Sequence, residues 1–342
     1  MNPLDLIRPN IAVLKPYSTA RDEYRGPLGI FLDANENPYD NNVNRYPSTS
    51  LKESLRSRVA ALKGVAPANL FLGNGSDEAI DLCYRIFCRP GIDNAIMIAP
   101  SYGMYEVCAN INDVECRKVQ LGEEFALPTE ALLAAADTNS KLLFVCSPNN
   151  PTANSFGIEE IVSLLERFRG IVVVDEAYID FSSGKGMLPL LDCYPNLIIL
   201  QTLSKAYAMA GLRVGLAIAS EEIISIMKQV KYPYNIGSDT IQLALKMLDK
   251  DISGEVGEIK SERNRIAEAL AQMGCVLKVY PSDANFLLVK FTDPTGLYNK
   301  LITNGLIVRD RSHTAGCEGT LRITVGTPAE NDKLLEVIKH YE

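Results

Sequence analysis

The sequence has little of what metal sites are made from. It contains only two histidines, His313 and His340, and its eight cysteines are scattered without a single CxxC pair. Because zinc sites use closely spaced Cys and His ligands, we expect no metal site in this protein. The cysteines are better interpreted as small apolar side chains in the reducing environment of a cytoplasm.

The sequence also lacks an excess of positive charge and a long apolar run. Its 34 Lys and Arg residues are outnumbered by 42 Asp and Glu residues, which gives a formal net charge of −8 at pH 7. Such a charge argues against nucleic acid or an anionic membrane as a partner. The opening residues, MNPLDLIRPN, do not resemble a secretory signal, and no apolar run approaches the ~20 residues of a spanning helix. We therefore expect a cytoplasmic protein that binds neither nucleic acid nor membrane.

What the sequence does contain is an alternation of short apolar runs and amphipathic segments. With 342 residues, of which 47% are hydrophobic, it is long enough for two packed domains. The runs that indicate buried strands are Ile96–Ala99, Leu142–Cys146, Ile171–Val174, Leu197–Leu200 and Val214–Ala219. Helical patterns cover Ser76–Phe87, Ile158–Phe168 and Glu221–Val230. Near-continuous apolar strands separated by helices predict an α/β fold with a large, doubly wound and mostly parallel sheet.

The pattern changes after residue 238. A long helical pattern over residues 239–272 is followed by predicted strands and by a closing helix near residues 330–341. The predicted strands are Val276–Tyr280, Phe286–Val289, Leu306–Arg309 and Leu321–Val325. We therefore expect three parts: an N-terminal arm (residues 1–40) that packs with the small domain, a large domain (41–238) and a smaller α+β domain (239–342).

Polar residues directly follow three of the predicted strands. The segment SPNNPT (147–152) follows the second strand, DEAY (175–178) the third, and QTLSK (201–205) the fourth. Ligands of open α/β sheets bind at the carboxyl ends of the strands. The sequence therefore places an amide, a carboxylate with a tyrosine, and a lysine flanked by hydroxyl groups at one candidate site.

These segments resemble the fold-type-I pyridoxal-phosphate aminotransferases over nearly the whole chain. The resemblance rests on SPNNPT, VVVDEAY (172–178), TLSKAYAMAGLR (202–213) and LRITVG (321–326). Further segments are similar to the branch of this family that acts on histidinol phosphate: LDANENPY (32–39), RYPS (45–48), GNGSDEAIDL (73–82) and SYGMY (101–105). The resemblance implies an aspartate-aminotransferase-like fold and pyridoxal 5'-phosphate as cofactor. It also implies transamination between histidinol phosphate and 2-oxoglutarate, a step of histidine biosynthesis.

The resemblance implies a role for each residue at the cofactor ring. Lys205 would bind the cofactor aldehyde as a Schiff base and, once displaced, move a proton as general base and acid. Asp175 would keep the ring nitrogen protonated, Tyr178 and Asn150 would donate hydrogen bonds to the phenolate oxygen, and Tyr102 would stack on the ring. Each residue type also has an ordinary structural role: lysine on the surface, aspartate as a helix cap, tyrosine in a core.

The cofactor phosphate needs binding groups of its own. The candidate ligands are Gly75, Ser76, Asp77, Thr202, Ser204, Arg213 and Tyr46. A helix is predicted to begin at Gly75, where free backbone N–H groups bind anions, although Ser76 or Asp77 could equally be its cap. The guanidinium of Arg213 suits bidentate binding of phosphate oxygens. By resemblance, Tyr46 reaches the phosphate from the neighbouring subunit, so that the active unit is a homodimer.

The substrate is expected to contact the C-terminal domain. Arg309 and Arg322 alternate with apolar neighbours on predicted strands, so each side chain points away from the apolar face. By resemblance, these arginines hold the phosphate of histidinol phosphate, and Tyr17 closes over it. The carboxylate of glutamate then takes the same place in the other half-reaction. Exposed ion pairs are the ordinary alternative for both arginines.

One loop departs from the family pattern. It usually reads NPTG, whereas here it reads Asn150-Pro151-Thr152-Ala153. A positive φ at the fourth position would favour glycine and strain alanine. Either the turn differs locally, or the position never needed glycine.

Other functions remain open on the same residues. An aromatic aminotransferase or a threonine-phosphate decarboxylase-like enzyme would share Lys205, Asp175 and the phosphate ligands, and would differ only in the substrate groups. A cofactor-binding regulator would need a DNA-binding domain, for which the first 40 residues offer too little. A nicotinamide oxidoreductase would need G-x-G-x-x-G after the first strand, and GNGSDE (73–78) lacks the third glycine.

Overall fold

The larger of two sheets has seven strands. The computed structural model describes residues 2–17, Thr19 and residues 29–341. The strands are β1 (Leu70–Asn74), β2 (Asn94–Ala99), β3 (Glu115–Gln120), β4 (Ser140–Cys146), β5 (Ile171–Asp175), β6 (Leu197–Thr202) and β7 (Val214–Ala219), in the order β1-β7-β6-β5-β4-β2-β3. Strands β2 to β6 are parallel, and β7 is antiparallel to its neighbours β1 and β6. The predicted fold class, a large and mostly parallel α/β sheet, is confirmed.

The central strands are apolar throughout because both faces of the sheet are covered. In β5, Ile171 and Val173 pack in one apolar cluster, whereas Val172 and Val174 pack in another. Successive side chains of a strand point to opposite faces, so the two clusters lie on opposite sides of the sheet. Each fully buried aliphatic side chain contributes roughly 1.5–3 kcal/mol to folding, which favours this continuous apolar pattern.

Short helices precede, follow and connect these strands. They are α1 (Pro9–Ala12), α2 (Thr49–Lys63), α3 (Gly75–Phe87), α4 (Met104–Ile111), α5 (Thr129–Ala134), α6 (Ile158–Arg167) and α7 (Glu221–Val230). Helix α2 begins where the hydroxyl of Ser48 accepts the Leu51 N–H at 3.1 Å, and it ends at Gly64, whose φ of 70° is left-handed. Helix α3 begins directly after β1, which places its N-terminus at the edge of the sheet.

The C-terminal part forms a smaller sheet with its own apolar core. Its elements are α8 (Ser238–Met247), α9 (Ser253–Ala271), β8 (Val276–Val279), β9 (Phe286–Phe291), α10 (Pro294–Thr303), β10 (Arg309–Asp310), β11 (Thr320–Thr324) and α11 (Pro328–Lys339). The four strands are antiparallel in the order β10-β11-β9-β8. Ile266, Leu287 and Ile323 belong to a third cluster, between this sheet and its helices.

Two predictions for the C-terminal part are wrong in detail. The helix predicted over residues 239–272 is interrupted between Met247 and Ser253, and Ile241 of α8 packs in the core of the large sheet with Leu55. The strand predicted over Leu306–Arg309 contains only Arg309 and Asp310. The domain boundaries themselves stay a prediction. In the described part of the chain, no helix combines the length and the apolarity needed to cross a bilayer.

Candidate active site

The carboxyl ends of β4, β5 and β6 lie side by side. In the register of these strands Cys146 pairs with Asp175, and Asp175 pairs with Leu200. A cavity lies at this edge, and its lining includes every residue predicted for the cofactor except Tyr46. The lining is Gly75, Ser76, Asp77, Tyr102, Cys146, Asn150, Asp175, Ala177, Tyr178, Thr202, Ser204, Lys205 and Arg213. Residues as far apart in the sequence as Gly75 and Arg213, which are 138 positions apart, therefore meet at one site, as the strand-end pattern predicts.

Asp175 is a buried carboxyl group with two hydrogen-bond donors. Its Oδ2 accepts the hydroxyl of Tyr105 at 2.7 Å, and its Oδ1 accepts the N–H of Ala177 at 3.1 Å. Burial nevertheless raises the pKa of Asp175 to about 6, and the nearby charge of Asp77 adds to the shift. A cation next to Asp175 would stabilise its charged form, so the position suits a ligand with a protonated nitrogen.

Lys205 lies in the turn after β6 and points into the cavity. Its Nζ is 5.6 Å from the centre of the Tyr178 ring. Burial lowers the pKa of Lys205, and the positive charges of Arg322 and Arg213 lower it further. A lowered pKa increases the fraction of neutral amine, which is the nucleophilic form.

The start of α3 offers backbone N–H groups to the cavity. Asn74 precedes the helix without capping it through its side chain, and Gly75 adopts a φ of +74°. Gly215 of β7 packs directly against this turn, since a Cβ at residue 215 would lie 2.0 Å from the backbone nitrogen of Ser76. Uncapped N–H groups at a helix N-terminus bind anions, so this turn is a candidate phosphate site.

Arg213 and Tyr102 are held beside this turn by Asp77. The Oδ1 of Asp77 accepts the hydroxyl of Tyr102 at 3.0 Å, and its Oδ2 lies 3.3 Å from Nη2 of Arg213. The carboxylate of Asp77 thus orients two cavity residues. The part of Asp77 that suits an anion is its backbone N–H. Thr202 is a weaker candidate as a phosphate ligand, because the single proton of its hydroxyl is already donated to Val214 O at 3.3 Å.

Arg322 reaches the cavity from the small sheet. Its Nη1 donates to Oδ1 of Asn150 at 2.5 Å, and its guanidinium carbon is 5.3 Å from the centre of the Phe286 ring. Because Oδ1 of Asn150 accepts this bond, the amide nitrogen of Asn150 is the group left to donate to a ligand. Arg309 lies directly opposite Arg322 in the pairing of β10 with β11, so both side chains share one face of the small sheet.

Four predicted residues do not line this cavity: Tyr17, Tyr46, Arg309 and Arg322, of which Arg322 contacts the lining residue Asn150. Tyr46 is 46% exposed and stacks on Tyr234, with ring centres 4.0 Å apart. Tyr17 is 77% exposed. The roles of Tyr46 as a ligand of a neighbouring subunit's cofactor and of Tyr17 at the substrate stay predictions.

Ala153 adopts the conformation that favours glycine. Its φ is +69°, and the residue is fully buried. The turn therefore does not avoid the left-handed region, and the alanine bears the strain, about 1–2 kcal/mol for such a residue. Its N–H donates to Asn149 O at 2.7 Å and its carbonyl accepts the Asp283 N–H at 2.8 Å, which helps to hold the turn beside Asn150.

Two charged or polar residues of the site were not found from the sequence. Tyr105, the donor to Asp175, is three residues after Tyr102, and a helical spacing from a candidate stacking residue could have indicated it. Arg311 lies two residues after Arg309, on the same side of an extended segment. Both were overlooked because the residues they approach are distant in the sequence.

The fold and the site together define a class of enzyme. A buried carboxylate, a lysine of lowered pKa and an uncapped helix start meet at the end of a seven-stranded sheet. This is the arrangement of the fold-type-I pyridoxal-phosphate enzymes. The chain belongs to the family of class I and II aminotransferases, which it matches over residues 31–338.

Named members of this family are similar over nearly the whole chain. The protein is 53% identical to the histidinol-phosphate aminotransferase of Parabacteroides distasonis over 338 residues, which cover 98% of each chain. The crystal structure of histidinol-phosphate aminotransferase from Clostridium acetobutylicum matches with a TM-score of 0.79 and 25% identity over 88% of this chain and 91% of that chain. The enzyme from Sinorhizobium meliloti, solved in complex with pyridoxal-5'-phosphate, has the same fold, with a TM-score of 0.78 and 22% identity over 87% of this chain and 84% of that one. The resemblance seen in the sequence motifs is confirmed.

Proposed function

We propose that the protein transfers an amino group between histidinol phosphate and 2-oxoglutarate, with pyridoxal 5'-phosphate as cofactor. The observation that carries the proposal is that Lys205 shares a cavity with Arg213 and with Asn150, which Arg322 contacts from the small sheet. The positive charges of Arg322 and of Arg213 both lower the pKa of Lys205. Arg213 stands at the start of α3 and Arg322 on the small sheet. One group suits the phosphate of a cofactor and the other an anionic substrate.

The residues of the cavity fit this cofactor. The uncapped turn at Gly75 and the guanidinium of Arg213 match a phosphate, and buried Asp175 matches a protonated ring nitrogen. When bound, the cofactor supplies an electron-withdrawing ring that stabilises negative charge on the substrate carbon. Tyr178 and the amide nitrogen of Asn150 then serve as hydrogen-bond donors to the ring oxygen.

The chain's own groups bind, orient and move protons. Tyr105 and the Ala177 N–H fix the two oxygens of Asp175, so that its carboxylate would be held ready to pair with the ring nitrogen. Lys205 would hold the cofactor through Nζ, and after release the same amine would take the proton from the substrate carbon that carries the nitrogen and deliver it to the aldehyde carbon of the cofactor. Its lowered pKa favours the neutral form that this step requires.

The substrate anion is proposed to bind at the small sheet. Arg322 would hold either the phosphate of histidinol phosphate or the carboxylate of glutamate, and Arg309 the phosphate. Arg322 carries a burial cost that lowers its pKa, and a bound anion offsets that cost. Tyr17, which is largely exposed in a single chain, is proposed to close over the phosphate.

We also propose that the active unit is a homodimer in the cytoplasm. Exposed apolar side chains concentrate in the N-terminal residues, where Val13, Ile30, Leu32, Tyr39 and Val43 are each at least 58% exposed. Apolar surface of this kind supports coverage by a partner. Tyr46 belongs to the same stretch and is proposed to reach the partner's phosphate site. The eight free cysteines suit a reducing compartment.

A substrate panel tests the proposed function. kcat/KM is measured for histidinol phosphate, phenylalanine, tyrosine and threonine phosphate with 2-oxoglutarate as acceptor, together with release of carbon dioxide. We expect histidinol phosphate to exceed every other amine, with a shift of visible absorbance on its addition and no carbon dioxide. Preference for an aromatic amino acid, or decarboxylation of threonine phosphate, would replace the proposal with one of the alternatives on the same scaffold.

A further inference from the structure

Arg311 lies on the same face of the small sheet as the two arginines proposed for the substrate. Arg309 pairs with Arg322 across β10 and β11, and Asp310 pairs with Leu321. The backbone N–H of Arg311 donates to Thr320 O at 3.0 Å, so the pairing continues to Arg311. Side chains two residues apart on an extended segment point to the same side. Arg309, Arg311 and Arg322 therefore form one group, which we term the arginine cluster.

The arginine cluster has no acidic partner. Among the described residues, no carboxylate forms an ion pair with any of its members, and Nε of Arg311 is buried without a hydrogen-bond partner. The adjacent acid, Asp310, instead accepts the Ser312 N–H at 2.7 Å. A buried donor without an acceptor costs free energy, and so do like charges brought together. The cluster therefore suits an anion that the described residues do not supply.

Arg322 connects the arginine cluster to the cavity, because its guanidinium donates to Oδ1 of the lining residue Asn150 at 2.5 Å. Burial lowers the pKa of Arg311, and the charges of Arg322 and Arg309 lower it further. Burial raises the pKa of Tyr178, and the positive charges of Arg322 and Arg311 oppose this rise. Arg311 thus shares a sheet face with Arg322, whose guanidinium contacts Asn150 at the cavity, and a substrate anion at this face is proposed to contact both arginines.

We propose that Arg311 is a third guanidinium that binds the phosphate group of the substrate and selects a phosphomonoester over a carboxylate. The proposal rests on the proposed function and deepens it. A phosphomonoester carries about −1.5 to −2 charge at neutral pH and has three acceptor oxygens, whereas a single bidentate arginine already satisfies a carboxylate. Three guanidiniums offer one donor group to each of the three acceptor oxygens, and their summed charge of +3 is enough to neutralise the dianion. Arg311 acts as a specificity residue and leaves the proton transfer at Lys205 unaffected.

The test compares Arg311→Gln and Arg311→Lys with a matched control, Arg265→Gln. Arg265 is also in the C-terminal part, but it pairs with Glu262 and Asp332 on the surface. In the holoenzyme, Arg311→Gln is expected to lower kcat/KM for histidinol phosphate by roughly 10- to 100-fold, which is the effect of losing one hydrogen bond to a charged group. The same variant is expected to lower kcat/KM for glutamate by less than about 3-fold. Arg311→Lys should recover part of the loss, and Arg265→Gln should match the wild type. Equal losses for both substrates, or no loss, would overturn the proposal.

Binding of inorganic phosphate to the holoenzyme gives a second measurement that does not depend on turnover. With the cofactor in place, phosphate should perturb the visible absorbance of wild type and of Arg265→Gln at similar concentrations, and Arg311→Gln should need at least about 10-fold more. If the wild type does not use histidinol phosphate, the proposed function fails, and this titration still decides whether Arg311 belongs to an anion site. Unchanged phosphate binding in Arg311→Gln, with an unchanged melting temperature, would reject the assignment.

Discussion

At the scale of single residues, two neighbouring carboxyl groups are buried in different ways. Asp175 faces the cavity, and its pKa is raised from 3.8 to about 6 mainly by burial. Glu176 points away, accepts the Met187 N–H at 2.6 Å and the Gln201 amide at 3.0 Å, and has a pKa raised from 4.5 to about 7, again mainly by burial. A protonated ring nitrogen can supply the missing charge only to Asp175. Cofactor binding should therefore lower the pKa of Asp175 and leave that of Glu176 nearly unchanged.

This difference predicts how the stability of the cofactor-free protein depends on pH. A carboxyl group whose pKa is raised in the folded state holds its proton more tightly when folded, so its contribution to stability is lost as the pH rises from the unfolded to the folded pKa. For Asp175 the window is pH 3.8 to about 6, and the loss is roughly 3 kcal/mol. Asp175→Asn removes this loss. The free energy of unfolding of the variant minus that of the wild type should therefore increase by roughly 3 kcal/mol from pH 4 to pH 7. Urea denaturation of both proteins across this range measures it.

Two controls make the pH prediction specific. Glu176→Gln should gain on the wild type over a higher window, from pH 4.5 to about 7. With cofactor bound, the pH-dependent difference between Asp175→Asn and wild type should shrink or reverse, because the charged carboxylate then has a partner. A constant difference between Asp175→Asn and the wild type at every pH would contradict the account of Asp175.

The residues of the candidate site differ in how far the sequence predicts them. Lys205, Asp175 and Asn150 follow apolar runs directly, so the rule for strand ends is enough to bring them together. Tyr105 is different, since its partner Asp175 is 70 residues away and only the packing of α4 against the sheet joins them. For Arg311, the lack of a hydrogen-bond partner for its buried Nε, in the part of the chain that the structure describes, is a property of the fold, which no local pattern encodes.

At the scale of elements, apolar strands were predictable and polar ones were not. Strands β5 to β7 are buried along their whole length, and their sequence is almost continuously apolar. Strand β3 lies at the sheet edge and contains polar residues at exposed or half-buried positions, so it has no such pattern. The break between α8 and α9 falls at Leu248 to Ile252, which contain neither proline nor glycine, the usual signals for the end of a helix.

The pairing of β10 with β11 leads to a prediction about the two arginines first assigned to the substrate. Arg309→Ala should weaken histidinol phosphate by roughly thirty-fold or more and glutamate much less, because the exposed Arg309 is proposed to contact only the phosphate. Arg322→Ala should weaken both substrates, since Arg322 contacts Asn150 at the cavity and would hold either anion. The measurement is kcat/KM for each half-reaction. Equal effects of Arg309→Ala on both substrates would favour a general amino-acid aminotransferase.

At the scale of the whole molecule, the fold class followed from the sequence, and the assembly did not. The alternation of apolar runs and helices fixes a covered parallel sheet, because each run must be buried on both faces. No comparable periodicity shows which surface meets a partner. Among the described N-terminal residues, several apolar side chains outside α1 are exposed. Their exposure became visible only in the folded chain.

A shared active site would make the assembly testable by complementation. If Tyr46 reaches the phosphate of the neighbouring subunit, Lys205→Ala and Tyr46→Phe damage different halves of each composite site. Mixing the two inactive or impaired proteins under conditions of subunit exchange should regenerate one intact site per mixed dimer, and therefore measurable activity. The test requires that Tyr46→Phe alone is clearly impaired. Demonstrated exchange without recovery of activity would argue against the composite site.

The central claim is that Lys205 carries the cofactor, and chemical trapping tests it most directly. The holoenzyme is reduced with borohydride, digested and mapped by mass spectrometry, with Lys205→Arg treated in parallel. We predict a pyridoxyl label on Lys205 in the wild type and none on the corresponding peptide of the variant. A label on another lysine, such as Lys63, or no label on a protein that retains its visible absorbance, would contradict the account of the site.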